Sequence, residues 1–144
     1  MQLDEAGLAD FGARLARVLR VGDVVMLSGE LGTGKTTLAR SVLRGLGHTG
    51  DVPSPTFTLA QVYDGVEPPV MHCDLYRLQS PAEAEILGLD DWLQQGALLI
   101  EWPERLGEAV WPDCLWLHLQ GAGAATRSLT CEVGAAWTER WPPR

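Results

Sequence analysis

Gly29-Glu30-Leu31-Gly32-Thr33-Gly34-Lys35-Thr36 decides how this chain folds, because it matches the phosphate-loop pattern G-x-x-x-x-G-K-[ST] at every fixed position. Glycines let a backbone take unusual dihedrals and approach an anion with no side chain in the way. The loop N–H groups then converge on phosphate, and a helix starting near Thr36 adds the partial positive charge of its N-terminus. In such a loop Lys35 reaches the β- and γ-phosphates and the Thr36 hydroxyl ligates Mg²⁺. The flanks support the reading. Val24-Val25-Met26-Leu27 is a short apolar run of the kind that forms a strand buried on both faces. Leu38, Val42, Leu43 and Leu46 mark one face of a helix closed by Gly45 and Gly47.

Working outward, Leu8, Phe11, Leu15 and Val18 predict an amphipathic helix over about Asp4–Leu19. Residues 48–56 are rich in Gly, Pro, Ser and Thr and read as a loop. Thr58–Tyr63 and Val70–Asp74 are expected to form a hairpin, and Ser80-Pro81 a helix start with serine as cap. A short turn is expected near Asp90-Asp91-Trp92. Ala97–Ile100 reads as a strand ending in Glu101, and Leu115–Leu119 as a strand pairing with Ser128–Val133 through the loop at Gly121–Ala125. Trp137–Arg144 reads as a loose tail, since Pro142-Pro143 continues neither a helix nor a central strand. The expectation is an α/β P-loop NTPase of one domain, residues 1–136, with a mixed, mostly parallel sheet flanked by helices and a C-terminal tail over 137–144.

Composition narrows the partners. The 144 residues carry a formal charge of −8, and ten of the 11 basic residues are arginine. The single lysine is Lys35, in the one place where a phosphate loop requires it. Such a charge makes the free chain a poor stand-alone binder of tRNA or any polyanion. No apolar run approaches the roughly 20 residues of a membrane-spanning helix, and the N-terminus lacks a secretory signal, so no membrane and a cytoplasmic location are expected. Cys73, Cys114 and Cys131 show no metal-ligand spacing and read as free thiols.

A phosphate-loop site also needs a carboxylate near the metal, at the C-terminal end of a neighbouring strand. Asp74 and Glu101 both meet that description, and either could hold Mg²⁺ or orient the attacking water. Thr56, in Ser54-Pro55-Thr56-Phe57-Thr58, is either a switch threonine sensing the γ-phosphate or part of a rigid turn. His72 and Cys73 suggest metal ligands, but adjacent strand residues face opposite ways, so one ion does not take both. The guanine-reading Asn/Thr-Lys-x-Asp motif is absent, because the chain has no asparagine and its one lysine is in the loop. Adenine is therefore the expected base, with ATP and Mg²⁺ as cofactors.

The order of Gly29–Thr37, Ser54-Pro55-Thr56-Phe57-Thr58-Leu59, Asp74-Leu75-Tyr76-Arg77-Leu78, Leu87-Gly88-Leu89 and Glu101-Trp102-Pro103-Glu104 resembles the bacterial TsaE (YjeE-type) ATPases over roughly residues 3–133. The resemblance implies ATP hydrolysis that supports turnover of the TsaB–TsaD pair in making N6-threonylcarbamoyladenosine at position 37 of tRNA. It further implies Thr36 and Glu101 as Mg²⁺ ligands, Asp74 as the Walker-B-like acid and Thr56 as the switch threonine. Thr37 belongs to the matched loop, and Trp102 would lie near the nucleotide or partner surface. One position departs from the family pattern: Leu8 stands where relatives carry a threonine near the adenine pocket. Two other readings compete, a small-molecule kinase and a nucleotide-gated binding module with negligible hydrolysis of its own.

Overall fold

The computed structural model describes every residue except Leu31, Thr56, Phe57, 107–110, 122–124 and Arg144. Seven strands form one sheet in the order β1-β7-β6-β2-β5-β4-β3. In chain order these are β1 (Gln2–Leu3), β2 (Val24–Ser28), β3 (Ala60–Tyr63), β4 (Val70–Asp74), β5 (Ala97–Glu101), β6 (Leu115–Gln120) and β7 (Arg127–Val133). The four central strands, β6, β2, β5 and β4, run parallel, and antiparallel strands close both edges. The sheet is mixed, as expected. Its three inner strands β2, β4 and β5 are buried at every position, which is why their sequences are continuous apolar runs rather than alternations.

Helix α1 (Glu5–Val18) is capped by the Asp4 carboxylate, which accepts the Gly7 N–H at 2.7 Å. It packs with α2 (Lys35–Gly45) over one face of the sheet, burying Leu8, Phe11, Leu15, Leu38, Val42 and Leu43 against Val25, Leu27 and Leu99. The two helices approach closely: a Cβ at Gly12 would lie 2.5 Å from Ser41 Cβ. The opposite face is covered by the short helices α3 (Pro81–Ala84) and α4 (Leu89–Trp92) around Met26, Met71, Cys73, Leu98 and Ile100. Ser80 occupies the cap position of α3 but makes no side-chain capping bond, so proline at the first position does the starting.

Three features differ from the sequence expectation. The predicted strand at Thr58 begins two residues later, at Ala60, after Leu59 turns through a left-handed φ of 65°. Strand β1 was not legible, because two residues carry no period; it is held to β7 by pairing of Gln2 with Ser128. The segment read as a loose tail is packed. Residues Ala135–Arg140 form a 3₁₀ helix, Trp137 is fully buried, and the Trp141 ring meets Phe11 edge-on at 6.1 Å. Arg140 makes a bidentate pair with Asp23, at 2.6 and 2.9 Å, and also donates to the Val18 carbonyl. Asp23 in turn accepts the Arg20 N–H. Both side chains of the pair are 6% exposed.

A buried ion pair loses most when one partner is removed, since the other charge is left unpaired. Asp23→Ala is therefore expected to destabilise the fold by about 3 kcal/mol, and Trp137→Ala by a comparable ~3–5 kcal/mol from the cavity it leaves. Denaturant midpoints of both variants against the wild-type chain measure this. Unchanged midpoints would restore the loose-tail reading.

Candidate functional site

Parallel pairing brings the site together. Leu27 of β2 is in register with Glu101 of β5, and Glu101 with Asp74 of β4, so three strand ends finish side by side. The phosphate loop leaves β2 at that edge and returns as α2, whose first residue is Lys35. The turn into α2 requires glycine. Gly34 has φ 102°, and Gly29, at φ 149°, lies so close to β6 that a Cβ there would meet the Leu119 carbonyl oxygen at 2.5 Å.

The groove above these ends has a volume of about 660 Å³. Its lining includes Asp74, Glu101, Ser54 and Arg77, the loop residues Gly32, Gly34, Lys35, Thr36 and Thr37, and Leu8, Ala125 and Arg127. The Thr36 hydroxyl donates to the Glu101 carboxylate, 2.9 Å from one oxygen and 3.1 Å from the other. Asp74 is fixed from two sides, by the Ser54 hydroxyl at 2.9 Å and the Tyr76 N–H at 3.0 Å. The two carboxylates are 5% and 2% exposed, a costly pair of charges to bury without cations nearby.

One cation close enough to feel both carboxylates is Lys35. Its Nζ donates to the carbonyls of Gly29, at 2.5 Å, and Glu30, at 2.9 Å, and lies 4.4 Å from the centre of the Trp102 ring. Burial pulls the Lys35 pKa below its usual 10.5, opposed by the carboxylates of Glu101, Asp74 and Glu104. Trp102 itself holds a left-handed φ of 60°, an uncommon conformation for a bulky residue and one that keeps the indole over the loop. The indole also meets Tyr76 at a tilt of 50°, with centroids 4.9 Å apart, and the Arg105 guanidinium lies over Tyr76.

Sequence-predicted residues thus fall into three groups. Lys35, Thr36, Thr37, Gly32, Gly34, Asp74, Glu101 and Trp102 all border the one groove. Gly29, Glu30 and Thr33 border a separate hollow of about 350 Å³ with His118 and Gln120, and Thr33 braces the loop by donating to the Glu30 carbonyl. Leu31 and Thr56 lie outside the described residues.

Sequence reasoning missed Arg127 and set His72 aside. Arg127 reaches from β7 to donate to the Thr33 carbonyl at 3.1 Å, tying that strand to the loop. His72 is fully buried and lies 2.6 Å from the second Glu101 oxygen. The period of two was the available signal, because it places His72 on the same face as Asp74 while Cys73 points into the opposite core. That core pushes the Cys73 thiol up to about 12, by burial first and the neighbouring Asp74 charge second. It is a free thiol that packs fully buried in that core. Among the described residues no group of three or more His, Cys, Asp or Glu forms a metal cluster, and no helix is long and apolar enough to cross a membrane.

Comparison with known proteins agrees with this geometry. The sequence profile of the family described as "Threonylcarbamoyl adenosine biosynthesis protein TsaE" matches residues 3–129. The chain is 44% identical over 138 residues to the tRNA threonylcarbamoyladenosine biosynthesis protein TsaE of Streptomyces coelicolor, covering 93% of each chain. It is 40% identical over 116 residues to the protein of that name from Haemophilus influenzae, covering 76% of this chain and 73% of that one. The crystal structure of Bacillus subtilis YdiB superposes with a TM-score of 0.79 at 30% identity, over 96% of this chain and 90% of the other. A profile that spans the loop, both carboxylates and nearly the whole sheet leaves one assignment: this chain belongs to the TsaE family of threonylcarbamoyl adenosine biosynthesis proteins.

Proposed function

We propose that the chain is a Mg²⁺-dependent ATPase that serves formation of N6-threonylcarbamoyladenosine at position 37 of tRNA, by supporting turnover of a TsaB–TsaD complex. The observation that carries the ATPase reading is the Thr36–Glu101 hydrogen bond at the N-terminus of α2, with Lys35 in the same loop. A hydroxyl and a carboxylate are hard oxygen donors of the kind Mg²⁺ takes, and magnesium keeps its remaining positions for water and substrate phosphate. The donor set therefore fits the ion, and the loop fits phosphate: its glycines hold dihedrals that leave the backbone open to an anion.

In this reading Thr36 and Glu101 would hold Mg²⁺, which when bound would neutralise charge on the phosphates. Lys35 would leave the Gly29 and Glu30 carbonyls for the β- and γ-phosphates. Asp74, fixed by Ser54 and the Tyr76 N–H, would orient the attacking water from the next strand end. Leu8, 3% exposed and lining the groove, would give the adenine an apolar wall. Thr56 is the switch threonine. The free chain's own hydrolysis is weak and rises with its partner. A cytoplasmic site of action follows from the substrate.

Lys35→Ala and Thr36→Ala are expected to abolish ATP turnover while keeping the fold, since loss of a hydroxyl in a helix's first turn costs only ~1 kcal/mol. Phosphate release, with circular dichroism as control, measures this; wild-type rates in either variant would end the assignment of the loop.

The two acids are expected to separate. Glu101→Gln weakens Mg²⁺-dependent binding of a fluorescent ATP analogue more than Asp74→Asn does, whereas Asp74→Asn mainly slows hydrolysis. A Mg²⁺ titration with the opposite ranking would exchange their roles.

Association with TsaB–TsaD is expected to depend on nucleotide, through the surface around Arg77 and Trp102 and with Thr56 as the switch residue, because loops that contact a γ-phosphate rearrange when it leaves. The free chain, at −8, is expected to bind tRNA weakly. Pull-downs in ATP, a non-hydrolysable analogue, ADP and no nucleotide, with Trp102→Ala as control, decide the first point; equal capture in all four states would refute it. Tight, salt-sensitive tRNA binding by the chain alone would refute the second.

A further inference from the structure

A fully buried histidine next to the groove is not required by packing. His72 sits on β4 between Met71 and Cys73, and the apolar residues around its face, Val70 and Leu99 among them, would accept a leucine of similar volume. Burying an imidazole is costly unless it is hydrogen-bonded. Its one described polar contact is Glu101, with Nε2 2.6 Å from Oε2. An ionised carboxylate only accepts, so Nε2 carries the proton and donates. Nδ1 is buried without a hydrogen-bond partner among the described residues, so the Glu101 contact is the ring's one polar anchor there.

This bond has a geometric consequence. Glu101 ends β5 with a side chain that has several rotatable bonds, yet the carboxylate is held by two groups. The fully buried His72 meets Oε2, and Thr36, which lines the groove, spans Oε1 at 2.9 Å and Oε2 at 3.1 Å. A metal ion entering beside Thr36 would compete for the groove side of the carboxylate, and only the His72 bond would remain to hold its orientation. We propose that His72 is a positioning residue: it fixes the Glu101 carboxylate so that its groove-facing oxygen is preset for a divalent cation at Thr36. Residues that hydrogen-bond metal-ligating groups from behind typically contribute 10–100-fold to metal affinity. The inference rests on the Mg-ATP reading above.

The test measures the Mg²⁺ concentration that half-saturates binding of a fluorescent ATP analogue, and separately the analogue's affinity in EDTA. His72→Leu, which keeps volume and removes the donor, is expected to raise the Mg²⁺ half-saturation about tenfold and leave the EDTA affinity unchanged. His72→Gln, whose amide N–H can take the place of Nε2–H, is expected to restore most of the loss. In a Glu101→Gln background His72→Leu should add nothing further, since the bond's target has changed. Should His72→Leu fail to fold, His72→Asn takes its place; its amide falls short of Glu101, so it is expected to lose Mg²⁺ affinity where His72→Gln does not. Equal half-saturation in wild type and the donor-less variant would overturn the positioning role. So would an equal loss in EDTA, which marks a general structural defect. A wild-type chain with no Mg²⁺-dependent nucleotide binding would overturn the ATPase reading and this inference together. Mg²⁺-dependent binding in the wild type with an unaffected His72→Leu would overturn this inference alone.

Discussion

In-register pairing of three parallel strand ends is the constraint on which the rest of the molecule depends. Leu27, Glu101 and Asp74 lie side by side because β2, β5 and β4 pair without offset. The side-chain period of a strand is two, so a slip of one residue would turn both carboxylates away from α2 and into the opposite core. Continuous apolar runs alone specify such a register weakly, since every position is buried whichever way it faces. Here polar residues break the symmetry. His72, Asp74 and Glu101 share one face and satisfy one another or the loop, whereas Met71, Cys73 and Ile100 fill the other.

The same arrangement explains the posture of Lys35. Its buried ammonium is held by two loop carbonyls and an indole ring. Burial lowers its pKa, and the neighbouring carboxylates of Glu101, Asp74 and Glu104 counter part of that lowering. Trp102 completes this arrangement from a strained backbone position that follows directly on Glu101. Strand-end acid, loop lysine and aromatic cover are thereby coupled through the two consecutive residues Glu101 and Trp102.

The periphery secures that centre. Arg127 ties β7 to the loop, and the Arg140–Asp23 pair clamps the C-terminal segment over the start of β2. Both contacts join residues more than ninety positions apart, and both act on the strand that carries the phosphate loop.

Local chemistry was enough to read the loop, its lysine and threonine, the two strand-terminal acids and the helix that follows, because each depends on residue type and spacing within a few positions. The alternation of Leu115–Leu119 and the turn at Asp64-Gly65 likewise announced β6 and the β3–β4 hairpin. What the sequence could not convey was pairing at a distance. The order of strands, the brace from Arg127, the grip of His72 on Glu101 and the burial of Trp137 all join segments with no shared local signal. Trp137 is the clearest case: two prolines at 142 and 143 argued for a loose end, and a hydrophobic ring with a place to go outweighed them. Residue type determined which groups could bind phosphate and metal; only the tertiary structure decided which of them meet, because contact across a sheet is set by register and packing rather than by neighbours in the chain.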